Sequence, residues 1–324
     1  MTPRVSVVIP TYNRPHLLPR AVEAALGQTV AADCEILVVD DGGEVDLHPL
    51  LAPHAGRVRL IRRENGGLAA ARNTGIAAAR GEFIALLDDD DAWLPEKIER
   101  QLAAMDRHRA AVLCTTRTDN VAPDGTRTAR RLPPIAFDQP VDCLPTLLEW
   151  NFVPPSSVLL RRSSLARTGG FAAHLRQAED YDLWTRLAAQ GPFVCLAEPL
   201  TLYAVATPGS LSGNSLRQMQ YEQLARRRMR RLVGPRPDAR AAWRRGWLRC
   251  QTDLRDAAFS SGRYGLAFAA AVRAAACDPV GRAPWEWRRM AESLGAALHL
   301  IRRPGAAQPA PVPPAAAHRN ASSR

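Results

Sequence analysis

Residues 83–91, Phe-Ile-Ala-Leu-Leu-Asp-Asp-Asp-Asp, constrain this chain more than any other stretch. Five apolar residues run directly into four carboxylates, Asp88, Asp89, Asp90 and Asp91. A short, continuous, partly β-branched apolar run predicts a strand buried on both faces. Pro95 suits the first turn of a helix beginning just beyond. The acidic cluster therefore falls at the carboxyl end of a central strand, the edge where open α/β sheets bind ligands. Four adjacent carboxylates repel one another, and a cation or solvent lowers that cost. Magnesium and manganese take oxygen ligands and share them readily with phosphate.

The same grammar repeats along the first third of the chain. Val5–Ile9, Glu35–Val39 and Val58–Ile61 read as further buried strands, and Val112–Thr116 as a fifth. Helical patterns separate them, with Leu17, Leu18, Ala21, Ala25 and Leu26 on one face of the first. An alanine-rich helix over 68–79 carries Arg72 and Asn73, and another covers about 95–107. Strands alternating with helices predict a parallel, doubly wound sheet with right-handed crossovers. One rim then collects three polar clusters, at 10–14, 40–43 and 88–91.

The second half is less regular. Residues 119–139 predict an irregular hairpin or loop, 144–150 a helix, and 156–160 a strand opening on two serines. Glu179 and Asp180 open a helix running to about 189, where acidic residues also favour the helix dipole. Strands are expected at 193–196 and 200–205, then a Gly/Ser-rich loop over 207–214 of the kind used as a lid.

Charge is uneven. Residues 215–324 hold 21 Arg against 7 acidic residues, a net +14, while the rest of the chain is near neutral at −3. Such a region suits an anionic partner: a membrane face, nucleic acid or an acidic glycan. Lys97 is the only lysine, so the bias also has a compositional side. No apolar span reaches 18 residues, and the start of the chain shows no basic-then-apolar leader. The six cysteines form no Cys-x-x-Cys pair and read as small buried hydrophobes of a reducing compartment. The expected location is cytoplasmic, with the basic region available to dock on the inner face of the plasma membrane.

Five ordered stretches carry a resemblance. They are Val5–Arg14 (Val-Ser-Val-Val-Ile-Pro-Thr-Tyr-Asn-Arg), Ile36–Gly42, Asn65–Asn73 (Asn-Gly-Gly-Leu-Ala-Ala-Ala-Arg-Asn), Leu87–Trp93 and Ala178–Trp184 (Ala-Glu-Asp-Tyr-Asp-Leu-Trp). In order and spacing the chain resembles family 2 glycosyltransferases of the GT-A fold over about 4–205. The resemblance implies an α/β fold with a Rossmann-like, mostly parallel sheet flanked by helices and a C-terminal helical appendage. The resemblance implies a transferase domain over 1–214; beyond it, the residue pattern predicts an Arg-rich helical region over 215–303 and the Pro/Ala-rich composition a disordered tail over 304–324.

It also implies an inverting transferase that moves a sugar from a nucleotide-diphosphate sugar to a hydroxyl acceptor in surface polysaccharide, lipopolysaccharide or glycolipid. Pro10, Thr11 and Tyr12 would border the base, with Tyr12 stacking and Arg14 close by. Asp40 and Asp41 would accept from the base edge and ribose. Arg72 would contact the nucleotide or its phosphates. Asp88 and Asp90 would form the Asp-x-Asp pair beside Asp89. Asp90 would be the first ligand of a divalent Mn or Mg ion, and Asp88 would approach the ribose or the metal. Asp180 would be the catalytic base, with Glu179 orienting neighbouring groups. The partners implied are the donor, a glycan or lipid-linked acceptor and an anionic membrane surface for 215–303; nucleic acid is not expected.

One departure stands out. The family often shows Tyr-Arg-x-His after the last strands, with the His completing the metal shell; here Ala204 and Ala206 stand at those places. That favours water or another group as third ligand, and it leaves a degenerate glycan-binding scaffold as a rival. A nucleotidyltransferase would need a Gly-rich basic loop after the first strand, which Pro10–Pro15 does not provide. A NAD enzyme would need Gly-x-Gly-x-x-Gly there.

Overall fold

The computed structural model describes residues 2–205, 215–277 and 295. The chain divides into two compact units, Met1–Gly246 and Trp247–Arg324. The predicted lid at 207–214, Ala206 and the tail at 304–324 lie outside the described residues.

The first unit opens β1 (Val5–Thr11), α1 (Leu18–Leu26), β2 (Cys34–Asp40), α2 (His48–Leu51), β3 (Val58–Arg62), α3 (Leu68–Ala78) and β4 (Phe83–Leu86). It continues β5 (Ala92–Trp93), α4 (Lys97–Arg107), β6 (Leu113–Val121), β7 (Arg127–Ala129), β8 (Pro140–Val141) and α5 (Leu144–Glu149). Then come β9 (Val158–Arg161), α6 (Arg162–Thr168), α7 (Glu179–Ala188), β10 (Phe193–Ala204) and α8 (Ser215–Met229). Helix α9 (Pro237–Ser260) carries the unit boundary. The sheet runs β3-β2-β1-β4-β9-β6-β10-β5, with β7 on β6 and β8 on β10.

Strands β1 to β4 pair in parallel, as expected of the alternating pattern. Period two then sorts their side chains into two cores. Val5, Val7 and Ile9 face a cluster with Ala21 and Ala25 of α1 and Ile98 and Met105 of α4. Val8, Leu37, Val39, Ile84 and Leu86 face the other, shared with α3, α5 and α7. Helix α3 lies so close to β1 that a Cβ at Gly75 would collide with Val8. That approach brings Arg72, one turn earlier, under the carboxyl ends of β1 and β4.

Strand β9 runs against its neighbours within the mostly parallel sheet. It runs antiparallel between β4 and β6, with Ala85 opposite Leu159 and Leu113 opposite Leu160. A strand entering from the opposite side begins where β4 ends, so Ser156 arrives at the acidic run. Residues 119–139 contain the expected hairpin, β6 with β7. The two strands expected at 193–196 and 200–205 are one, β10, whose pairing with β6 shifts register around Pro199.

In the second unit, the remainder of α9 meets α10 (Tyr264–Cys277) as an antiparallel pair. Arg273 Nε donates to Gln251 Oε1 at 2.8 Å, and Phe259 and Tyr264 meet edge to face at 5.3 Å. No helix among the described residues is long and apolar enough to cross a membrane.

Lys97 is fully buried at the start of α4. Its Nζ donates to Gln101 Oε1 at 2.7 Å and lies 4.1 Å from the Trp93 ring centroid. Burial pulls its pKa from the ordinary lysine value of 10.5 down to about 7. The unfolded chain therefore holds a proton between about pH 7 and 10 that the folded chain does not, so stability rises with pH across that window. The rise is at most about 5 kcal/mol. Denaturant unfolding at pH 7 and pH 9 should show it, and Lys97→Met should flatten it. An equal rise in both proteins would place its source elsewhere.

Candidate active site

The rim predicted from the sequence is built by three turns that hold one another. After β1, Asn13 takes a left-handed conformation, φ 53°, which Asn tolerates. Its Oδ1 accepts the Glu44 N–H at 2.8 Å, tying the first turn to the second. After β2, Asp40 accepts the Gly43 N–H at 2.8 Å. Asp41 accepts from Arg63 Nη1 at 2.6 Å and from the Gly67 N–H at 2.7 Å, fixing the loop that starts α3. Gly42 has φ +79°, and a side chain there would press on the Asn65 backbone.

The four carboxylates after β4 have different surroundings. Asp91 is buried; it accepts from Ser156 Oγ at 2.5 Å and from the Ala204 N–H at 2.9 Å, joining the loop to the end of β10. Asp89 is buried against Thr11 Oγ1 at 2.7 Å and Arg14 Nη1 at 3.1 Å. Asp90 also accepts from Arg14 Nη1, at 3.1 Å. Asp88 accepts from Arg72 Nη2 at 2.6 Å. Burial raises these acids: Asp89 to about 6, Asp90 above its usual range, and Asp91 well above it.

Arg72 is 1% exposed. Its Nη1 donates to Glu179 Oε1 at 2.7 Å, and its guanidinium carbon lies 5.3 Å from the Phe171 ring centroid. One buried arginine thus bridges the acidic loop and the start of α7. Ala178 before that helix is left-handed, φ 61°, an uncommon conformation for alanine. Asp180 Oδ1 accepts the Tyr181 N–H at 2.7 Å, and Oδ2 accepts from Asn151 Nδ2 at 3.2 Å. Burial raises the pKa of both acids, that of Glu179 to about 7 despite Arg72.

These groups surround one cavity of about 410 Å³, in the range of small-molecule sites. It brings together Pro10, Thr11, Tyr12, Arg14, Asp41, Arg72, Asp88, Asp89, Asp90, Glu179 and Asp180 from the sequence-based set; Asp40 is not among its lining residues. Tyr12 is 48% exposed, presenting a free ring. The acidic clusters were visible in the sequence, but Asn151, Ser156 and Tyr203 were not singled out as site residues. The paired serines 156–157 are a signal for one of them, and Tyr203 stands at the Tyr of the Tyr-Arg-x-His pattern. Gln218 also lines the cavity, so α8 of the basic region contributes to it.

Two arginines anchor helix α8. Arg226 is buried, donating to the carbonyls of Leu148 and Glu149 at 2.8 and 3.0 Å. Arg228 donates to buried Asp182 at 2.7 Å.

Among the described residues, no group of three or more His, Cys, Asp or Glu is arranged to hold a metal ion. Asp88 and Asp90 nevertheless both line the cavity, and each has one carboxylate oxygen that accepts from no other side chain among the described residues. Two carboxylates completed by phosphate oxygens and water are a fitting donor set for Mg²⁺ or Mn²⁺.

The chain is similar to known proteins in sequence and in fold. The family model "Glycosyl transferase family 2" matches residues 6–169. A chondroitin synthase of Escherichia coli is 30% identical over 194 residues, which are 59% of this chain and 27% of that protein. A hyaluronan synthase of Pasteurella multocida is equally similar over 59% of this chain and 19% of its own length. The chain therefore spans about a quarter or less of these curated relatives. A mannosyltransferase from Pyrobaculum calidifontis, solved with GDP-Man and Mn²⁺, superposes with a TM-score of 0.60 at 21% identity, covering 93% of this chain and 87% of that one. Staphylococcus aureus TarS 1–349, solved with UDP-GlcNAc, gives 0.60 at 16% identity over 91% and 92%. With its family signature spanning half the sequence and its sheet shared with these transferase structures, the chain belongs to glycosyl transferase family 2.

Proposed function

We propose that the chain is an inverting glycosyltransferase that moves a sugar from a nucleoside-diphosphate sugar to an acceptor hydroxyl. The observation that carries this reading is the convergence on one cavity of Tyr12 and Asp41, the Asp88–Asp90 loop and Asp180. Tyr12 stacks on the base, and the turn at Pro10–Thr11 borders it. Asp90 and Asp88 hold a divalent cation, which when bound supplies positive charge to the departing diphosphate. Asp180 Oδ2 takes the acceptor's proton as the acceptor oxygen attacks the anomeric carbon from the face opposite the diphosphate. A single displacement of this kind inverts the anomeric configuration. Arg72 does not reach for phosphate in this reading. It holds Asp88 and Glu179, placing donor-side and acceptor-side carboxylates in one network. Asp182, the third acid on the same helix, is committed to Arg186 and Arg228.

The finer reading places the acceptor in surface polysaccharide, lipopolysaccharide or glycolipid. It draws support from the two relatives named as polysaccharide synthases. An inner-face, membrane-peripheral location would use exposed arginines of the basic region, such as Arg227 and Arg231, which have no intramolecular partner among the described residues.

Calorimetric titration with UDP, GDP and dTDP, with and without Mn²⁺, tests the donor site. Asp90→Asn should weaken manganese-dependent nucleotide binding while keeping the thermal unfolding profile. Equal nucleotide affinity in variant and parent would remove Asp90 from the metal site.

A further inference from the structure

Arg14 is paired with the carboxylate that the proposed cation also needs. Of the four acids after β4, Asp91 is satisfied by Ser156 and the Ala204 amide, Asp89 by Thr11 and Arg14, and Asp88 by Arg72. Asp90 accepts from only one other side chain among the described residues, Arg14. A single nitrogen, Arg14 Nη1, serves both Asp89 Oδ1 and Asp90 Oδ2, each at 3.1 Å. Charge-assisted contacts of full strength are shorter, about 2.7–2.9 Å. The guanidinium makes no other hydrogen bond among the described residues, and its side chain is 20% exposed to the cavity it lines. It is therefore loosely held at Asp90 and has N–H groups free to turn elsewhere.

We propose that Arg14 is an internal counter-cation for Asp90, occupying that carboxylate until a divalent ion arrives with the donor and then turning toward the donor's diphosphate. The inference rests on the reading of Asp90 as a metal ligand. Two cations cannot share one carboxylate without repulsion, so metal entry and release of the Arg14–Asp90 contact are coupled. Asp89 retains Arg14 at the cavity wall throughout, because Thr11 and burial fix that carboxylate. Metal binding without nucleotide is then weak, and metal and donor bind cooperatively, since the released guanidinium gains a diphosphate partner.

The free Mn²⁺ signal in electron paramagnetic resonance, measured on the full chain without nucleotide, tests this. Arg14→Gln should bind Mn²⁺ about tenfold more tightly than the parent, the low end of what one neighbouring charge does to a carboxylate's affinity for a proton. Arg14→Lys should return affinity toward the parent's value. Adding UDP or GDP should shrink the gap between parent and Arg14→Gln, because only the parent gains the guanidinium–diphosphate contact. Unchanged or weaker Mn²⁺ binding in Arg14→Gln, with binding still abolished by Asp90→Asn, would overturn the counter-cation role and leave the metal site standing. Mn²⁺ binding indifferent to Asp90→Asn would overturn both. In the parent protein, the Arg14 Nε–Hε resonance should shift when Mg²⁺ and nucleotide are added together; no shift would contradict the hand-over without recourse to any variant.

Discussion

Asp180→Asn should lower sugar transfer by about 10²–10⁴-fold, the usual contribution of a general base, and leave nucleotide affinity nearly unchanged. Asn keeps the shape of Asp and can still accept the Tyr181 N–H and meet Asn151. What it loses is the ability to take a proton. The parent's rate should fall as pH drops through the Asp180 pKa. Burial raises that pKa above the ordinary Asp value, so the acidic limb lies higher than that of an exposed aspartate. The acid must be ionised to act, which fixes the sign: activity is present above the raised pKa and lost below it. Initial rates across pH 4–8, with calorimetry for the nucleotide, check both parts. Near-normal transfer by the variant would move the base to Glu179. Loss of transfer and nucleotide binding together would mark Asp180 as a structural residue of the helix start.

Arg72→Met should cost about 3–5 kcal/mol of stability, the range for breaking a buried ion pair by removing one partner. Its guanidinium is buried and meets two carboxylates at 2.6 and 2.7 Å. Met fills comparable volume against Phe171 but leaves Asp88 and Glu179 without their cation. Glu179, already raised to about 7 by burial, rises further in the variant because the opposing charge has gone. A carboxyl whose folded pKa exceeds its unfolded value costs the fold stability as pH rises from the unfolded pKa to the folded one, so a higher folded pKa extends the loss to higher pH. The deficit should therefore be largest near pH 8 and narrow toward pH 5. Adding Glu179→Gln to Arg72→Met should recover part of it at pH 8. A loss below about 1 kcal/mol, equal at both pH values, would show that the network carries little.

Much of the fold is legible because buried strands on both faces leave continuous apolar runs, and β1 to β4 show them. The sheet's direction is less so. Val158–Arg161 is a four-residue strand whose apolar character reads the same either way, and only its entry at Ser156 shows that it is antiparallel. Among the candidate site residues, the acidic clusters announce themselves, but their division of labour depends on contacts distant in sequence. Asp41 meets Gly67, 26 residues on, and Arg72 meets Glu179, 107 residues on. Neighbours in sequence thus have different surroundings, with Asp41 at the cavity and Asp40 turned to its own loop. Arg226 shows the limit of charge counting. In the run Arg226–Arg231 it falls on the helix face of Ala225 and Met229, where the last carbonyls of α5 and the Tyr181 ring receive it. Carbonyls at a helix C-terminus attract cations, and burial then hides what composition suggests is a solvated patch.

In the proposed reaction the Asp88–Asp90 loop would hold a divalent ion for a nucleotide whose base lies on Tyr12. A crystal of the full chain grown with Mn²⁺ and a nucleoside diphosphate, measured at the manganese edge, tests it most directly. One anomalous peak is expected at the Asp90 carboxylate, at the short distance of about 2.1 Å typical of small octahedral cations, with the base stacked on Tyr12 and Arg14 no longer on Asp90. A peak elsewhere, or a nucleotide bound with Asp90 still paired to Arg14 and no metal beside it, would contradict it.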